Sequence, residues 1–292
     1  MNAKSPSDVR IIARDRRDRL GEGPLWHGTE GALFWVDILD RRVNRYRPAD
    51  GAVDGWVMPE TVGWIIPRQD APGFLAGLAS GVKAVELDPL TVLPHADLAD
   101  EPPGNRMNDA KADARGRLWA GTMPVTADRP TGSLYRLDGE RLTRVDHGYH
   151  IANGPAISPD GRWLYHTDTY LREIYRFPLH DDGTLGARAL WLRFEDGWGT
   201  PDGMTFDADG GLWIAHWGGG RVSRFDSDGR IERARSVPAS QVTSMAFGGE
   251  GLDRLFVTSA GDGVDEPHGG DLFEVDPGVT GLAPHHFGQS GE

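Results

Sequence analysis

The chain has 292 residues, no cysteine, 40 glycines, 20 prolines and a formal net charge of −13 at pH 7. The absence of cysteine excludes disulfides, thiolate metal sites and a cysteine nucleophile, and fits a cytoplasmic protein. The acidic balance sets long-range repulsion against nucleic acid and against an anionic membrane, so a small molecule is the expected partner.

The first twenty residues, MNAKSPSDVRIIARDRRDRL, set Asp8, Asp15 and Asp18 among five arginines and hold no apolar run long enough for a signal sequence. A solvated N-terminal segment over 1–18 is expected, and no transmembrane span follows. GALFWVDI (31–38) is then a Gly-rich turn leading into a strand of apolar, aromatic and small residues. The same form recurs as GFLAGLAS (73–80), GRLWAGTM (116–123), GRWLYHTD (161–168), GGLWIAHW (210–217) and DRLFVTSA (253–260). Taking Leu33, Leu75, Leu118, Leu164, Leu212 and Leu255 as equivalent gives spacings of 42, 43, 46, 48 and 43 residues, the length of one four-stranded blade. Six such units use up the chain. The predicted fold is all-β, a single six-bladed β-propeller domain over 1–292, whose loops converge at one mouth of a central channel.

Most repeats run on into a second alternating strand: RVNRYRP, GSLYRLD (132–138), REIYRFPL (172–179), GRVSRFD (220–226) and GDLFEVD (270–276). Asp and Gly fill the turns between them, as in PADG, SPDG, HDDG and DSDG, and no stretch shows a helical period. The DADG at 207–210 resembles the start of an EF-hand loop, but it lacks the Glu at the twelfth position and flanking helices, so a turn is expected there. A strand at 9–13 is expected to seal the last blade, since a closed ring must hide its edge. Trp35, Trp119, Trp163 and Trp213 are expected in the core.

Chemistry is sought where polar residues interrupt this pattern. Four segments do so: GEGPLW (21–26), NRMNDAKAD (105–113), IANGPAISPDG (151–161) and TPDGMTFD (200–207), each about ten residues before a blade strand. All four are therefore expected at the same end of their blades, facing the channel. Glu22, Asn153 and Asp202 together offer an all-oxygen donor set suited to Ca²⁺, Mg²⁺ or Mn²⁺, with Asn108 as a possible fourth oxygen. Taken singly, Pro-Asp-Gly is an ordinary turn and an isolated Glu an ordinary surface residue.

GEGPLW, NRMNDAKADARGRLWAGTM, NGPAISPDGRWLYHTDT, PDGMTFDADGGLWIAHWGGGRVSRFD and the closing FGG, LFVTSA and GGDLFEVD resemble the gluconolactonase and regucalcin (senescence marker protein) family of sugar lactonases, in order from about residue 19 onward. The resemblance implies a divalent cation held by Glu22, Asn153 and Asp202, with Ca²⁺ first and Zn²⁺, Mn²⁺, Mg²⁺ or Fe²⁺ as alternatives. It also implies substrate contacts from Arg106 and Asn108. One departure stands out: the loop PVTADRPTG (124–132) is short and lacks the Glu that animal members place there, so substrate preference is not carried over through it.

The implied activity is metal-dependent opening of an aldonolactone such as gluconolactone, xylonolactone or arabinonolactone, with Asp202 also placed to accept a proton from the attacking water. A phosphotriesterase or aryl-ester hydrolase on the same metal propeller is the alternative within enzymes, and a non-catalytic metal-binding propeller the alternative outside them. His166 and His216 are expected as hydrogen-bonded core residues, Asp109 as a brace for its own loop, and Ser158 lies in no nucleophile elbow. A closed ring has no strand edge that demands a partner, so a monomer is expected.

Overall fold

A computed structural model describes residues 9–288 of the chain. These residues form twenty-four strands grouped into six four-stranded antiparallel sheets, with no helix among them. In the first five sheets the four strands follow one another in sequence. In the sixth, three strands from 242–275 are joined on the outer edge by Arg10–Ile11, which pair with Phe273 and Glu274. Residues 1–8 of the N-terminal segment lie outside the described residues, and 9–18 are not solvated throughout as expected: the side chains of Ile12, Arg14 and Asp18 are buried, tied to the last blade through Leu272 O and Gly270 O.

The innermost strands are Gly21–His27, Val62–Pro67, Asn105–Ala112, Ala152–Ile157, Thr200–Phe206 and Val242–Gly248. Each lies against the innermost strand of the next blade, and the last lies against the first, so the ring closes around a channel. The core follows from this arrangement: it is six apolar clusters, one in each seam between neighbouring blades. Strand alternation supplies both sides of a blade, as where Leu33 packs toward the sixth blade and Phe34 toward the second.

The repeated tryptophans are anchored as well as buried. The indole N–H of Trp35 donates to Asp18 Oδ2 at 2.8 Å, that of Trp119 to Asp113 Oδ2 at 2.9 Å, and that of Trp213 to Asp207 Oδ2 at 2.8 Å. Each of these buried carboxylates also holds an arginine: Arg14, Arg117 and Arg224 respectively. The DADG segment is accordingly a turn, with Asp207 Oδ1 accepting from the Asp209 and Gly211 amides. Trp163 departs from expectation. It precedes Leu164 where its counterparts follow their leucines, so it sits at the start of its strand, only part-buried, under the Arg176 guanidinium at 4.9 Å.

All six innermost strands carry a register shift against their neighbour, with one extra residue on the inner strand. Such bulges bend a strand and re-aim its side chains.

The C-terminal segment was not read in the sequence. After the last strand it leaves the blades and crosses one end of the channel. Thr280 O accepts from Ala208 N in the fifth blade, Gly281 N donates to Leu252 O in the sixth, Phe287 pairs with Arg68 in the second, and Gly288 N reaches Gly116 O in the third.

Candidate active site

The bulges place the polar residues. In the first blade the shift falls between Glu22 and Leu25, in the third between Met107 and Ala110, in the fourth between Asn153 and Ala156, and in the fifth between Pro201 and Met204. Gly23 and Gly154 take φ of 52° and 43° there, a left-handed conformation that a side chain would strain. Four blades thus turn Glu22, Arg106, Asn108, Asn153 and Asp202 into one cavity of about 400 Å³, and these are the five residues singled out from the sequence.

Around them the wall is Leu20, Met123, Ile151, Thr200, Trp217 and Tyr170. These neighbours stand at strand ends, where no local pattern marks them. Residues 125–131 of the short loop contribute nothing to the lining.

Within the cavity the contacts are specific. Arg106 Nη1 donates to Asn108 Oδ1 at 2.7 Å and to Met107 O at 2.9 Å, while Asn108 Nδ2 donates to Ala152 O at 3.0 Å. The oxygen of Asn108 thus accepts one bond from Arg106 and keeps a second lone pair. Asn153 Nδ2 donates to Asp202 Oδ1 and to Thr169 Oγ1, and its Oδ1 accepts from Gly154 N at 3.1 Å. A half-turn of that amide would exchange its oxygen and nitrogen, so its oxygen joins the carboxylates only after that turn. Thr169, whose hydroxyl donates to Pro201 O at 2.7 Å, is a positioning residue that sequence reasoning missed.

Two buried carboxyls share the cavity with a single guanidinium. Glu22 and Asp202 are both buried and neither forms an ion pair among the described residues. Burial pushes the Glu22 carboxyl up to about 8, with the charge of Asp109 adding to the shift. Asp202 is pushed well above the ordinary range by burial and then by Glu22 and Asp109. Burial lowers Arg106 to about 10, which leaves it charged at neutral pH. Asp109 accepts from Ala110 N at 2.7 Å and braces the bulge instead of facing the cavity.

Two buried carboxylates with nearby amides, short of positive charge, fit a hard divalent cation, because the cation would offset the desolvation that now favours their neutral forms. No group of three or more His, Cys, Asp or Glu side chains is gathered anywhere among the described residues, so a cation here would depend on amide oxygen as well as on Glu22 and Asp202.

His166 and His216 are both buried in the core, but only His216 is hydrogen-bonded as expected, its Nδ1 lying 2.8 Å from Trp198 O. Neither ring nitrogen of His166 has a partner among the described residues, because its ring packs edge-on against Tyr149 at 4.5 Å, and burial lowers the two to about 3 (His166) and about 4 (His216). Ser158 Oγ donates to Asp160 at 2.6 Å on the opposite side of the ring. A second cavity of about 400 Å³ opens there, among the far ends of the same inner strands, lined by Trp26, Lys111, Ile157, Phe206 and Phe247 and roofed by residues 282–285 of the C-terminal segment. It shares no lining residue with the first.

Comparison with known proteins gives the family and the fold. Residues 20–261 match the family described as "SMP-30/Gluconolactonase/LRE-like region". The chain is 39% identical to a 6-deoxy-6-sulfogluconolactonase of Pseudomonas putida, over 92% of this chain and 94% of that one. It is likewise 39% identical to a pentonolactonase of Haloferax volcanii, over 91% and 94%. Among solved structures, the regucalcin of Agrobacterium tumefaciens, titled a calcium-binding protein, superposes with a TM-score of 0.91 at 30% identity, over 97% of this chain and 98% of that one.

Proposed function

The chain belongs to the SMP-30/gluconolactonase/LRE-like family, and on that premise we propose that it is a hydrolase that opens sugar lactones such as gluconolactone, xylonolactone or arabinonolactone to the aldonic acid. The observation that carries this reading is the convergence of Glu22, Arg106, Asn108, Asn153 and Asp202 from four blades on one cavity. Relatives alike over nine-tenths of the chain are named for a sulfogluconolactone and for pentonolactones, which supports an aldonolactone as the substrate class.

Glu22, Asp202 and Asn153 are the residues that would hold one divalent cation. Oxygen donors favour Ca²⁺, with Mn²⁺, Mg²⁺, Zn²⁺ and Fe²⁺ as alternatives. When bound, such a cation supplies Lewis acidity toward the lactone carbonyl. Arg106 and Asn108 orient the ring: the guanidinium is preset by Met107 O and Asn108 Oδ1, and its other N–H groups remain to meet sugar hydroxyls. Asp202 accepts the proton of the attacking water as the water oxygen bonds to the carbonyl carbon. The ring C–O bond then breaks, and the ring oxygen takes a proton and leaves as the new hydroxyl of the acid.

Cation-stripped protein, resupplied with each cation in turn, tests this by proton release on the three lactones after correction for spontaneous opening. Turnover restored by a cation supports the reading. No turnover of any lactone with any cation would overturn it, toward an ester or phosphotriester hydrolase if those substrates react, or toward a binding protein if the cation binds without turnover.

We also read the chain as one domain acting as a cytoplasmic monomer. The ring is sealed by Arg10–Ile11 on its last blade, and the net charge of −13 disfavours nucleic acid and anionic membranes. Among the described residues no helix is long and apolar enough to cross a membrane.

A further inference from the structure

Tyr170 borders the active-site cavity and yet is 60% exposed, unusual for a large aromatic beside a cluster of buried polar groups. It sits in the turn Thr169–Arg172 that joins two strands of the fourth blade, and that turn is fixed at both ends. At the first end, Thr169 N donates to Ile151 O and the Thr169 hydroxyl to Pro201 O. At the other, Arg172 closes the turn on Thr169 O, and Arg172 O accepts from Phe194 N.

The ring itself is backed by His150. The two rings stack with centroids 4.5 Å apart and planes 18° from parallel. His150 is held in turn by Asp168, whose Oδ2 lies 3.2 Å from His150 Nδ1 and accepts from His150 N at 3.0 Å. One face of Tyr170 is therefore covered by imidazole, and the rest of the ring meets the cavity and solvent.

We propose that Tyr170 is a specificity-determining residue: a stacking platform, clamped by His150, that receives the C–H face of a sugar lactone while its polar edge meets Arg106 and Asn108. The inference rests on the lactonase reading above. A sugar ring is polar around its rim and apolar on its faces, so it needs both kinds of wall. The cavity floor supplies amides, carboxylates and a guanidinium, and Tyr170 supplies a preorganised aromatic surface that loses little entropy on binding.

The test compares Tyr170→Ala, Tyr170→Phe and the parent chain on the aldonolactone that the parent turns over fastest. Stacking of this kind is worth about three- to tenfold in affinity. Tyr170→Ala is expected to raise KM by that factor with kcat within twofold, and Tyr170→Phe, which keeps the face, to leave KM within twofold of the parent. His150→Ala is expected to raise KM by a smaller factor, because it loosens the platform without removing it. An unchanged KM in Tyr170→Ala, or a loss confined to kcat, overturns the proposal. So does a KM rise in Tyr170→Phe equal to that in Tyr170→Ala, which would assign the effect to the hydroxyl. Parent protein that turns over no lactone overturns the lactonase reading itself, a result distinguishable before any variant is made. Unfolding midpoints of the variants within about 2 °C of the parent separate a binding effect from a structural one, as expected for a residue this exposed.

Discussion

Gly63 lies at the bulge of the second blade's innermost strand and contributes no side chain to the active site, yet it sets the position of two residues that do. A methyl group at Gly63 would stand 2.6 Å from Asn108 O and 2.8 Å from Met107 O. An ordinary contact needs 3.4 Å, so the Gly63→Ala variant must find about 0.8 Å, and what stands in the way is backbone. The third blade's inner strand has to move there, carrying Arg106 and Asn108 with it. Overpacking of this kind costs about 1–3 kcal/mol, and a misplacement approaching 1 Å at reacting groups costs up to about a hundredfold in rate. Gly63→Ala is therefore expected to fold, to lose about 2–4 °C of melting temperature per kcal/mol, and to drop kcat/KM on an aldonolactone by about ten- to a hundredfold. Differential scanning calorimetry and ring-opening kinetics read both quantities. A variant with parental melting temperature and parental kcat/KM would refute the argument, since it would mean that neighbouring blades slide apart without disturbing the site.

Other outcomes follow from the same geometry. Asp202→Asn and Glu22→Gln each remove a buried carboxylate, and calorimetric titration should show loss of stoichiometric cation binding together with at least a hundredfold loss of lactone turnover. Asp207→Ala strips the acceptor from Trp213 and the Gly211 amide at once and leaves Arg224 only Glu232 as partner, and is expected to destabilise by about 2–5 kcal/mol in urea unfolding, because the two buried N–H donors are left unpaired. Burial, outweighing Arg14, raises Asp18 from 3.8 to about 6. The folded state therefore holds that proton more tightly than the unfolded chain, so stability from this group is present below about pH 4 and is lost as pH rises through about 6. Asp18→Asn should flatten the stability profile across that window by up to about 3 kcal/mol, and an unchanged slope would contradict the shift.

The ring was legible because it needs only a short strand pattern repeated at blade length, and Leu33 to Leu255 carry that pattern through every blade. Glu22, Asn108, Asn153 and Asp202 were legible because polar residues broke it at corresponding places, whereas Arg106 stood out in its segment only through the family resemblance. How they are aimed was not legible. One extra residue in an inner strand leaves at most a glycine as its trace, and Gly23 and Gly154 read equally well as ordinary turns until their φ angles are known. Thr169 and Tyr170 were hidden for a different reason: their partners, Ile151, Pro201 and His150, belong to turns and strands brought close only by the stacking of blades. Trp163 was misjudged because composition alone does not separate a tryptophan before Leu164 from one after it, and Tyr165 fills the interior place. The segment 277–288 has no period at all, and its path is set by single backbone hydrogen bonds to blades far apart in sequence.

That crossing segment covers one mouth of the ring. The cavity it roofs shares no lining residue with the active-site cavity, and Tyr170, 60% exposed, stands at the rim of the latter. The net charge of −13 acts on the two sides of the reaction unequally, leaving an uncharged lactone indifferent while repelling an aldonate anion at long range.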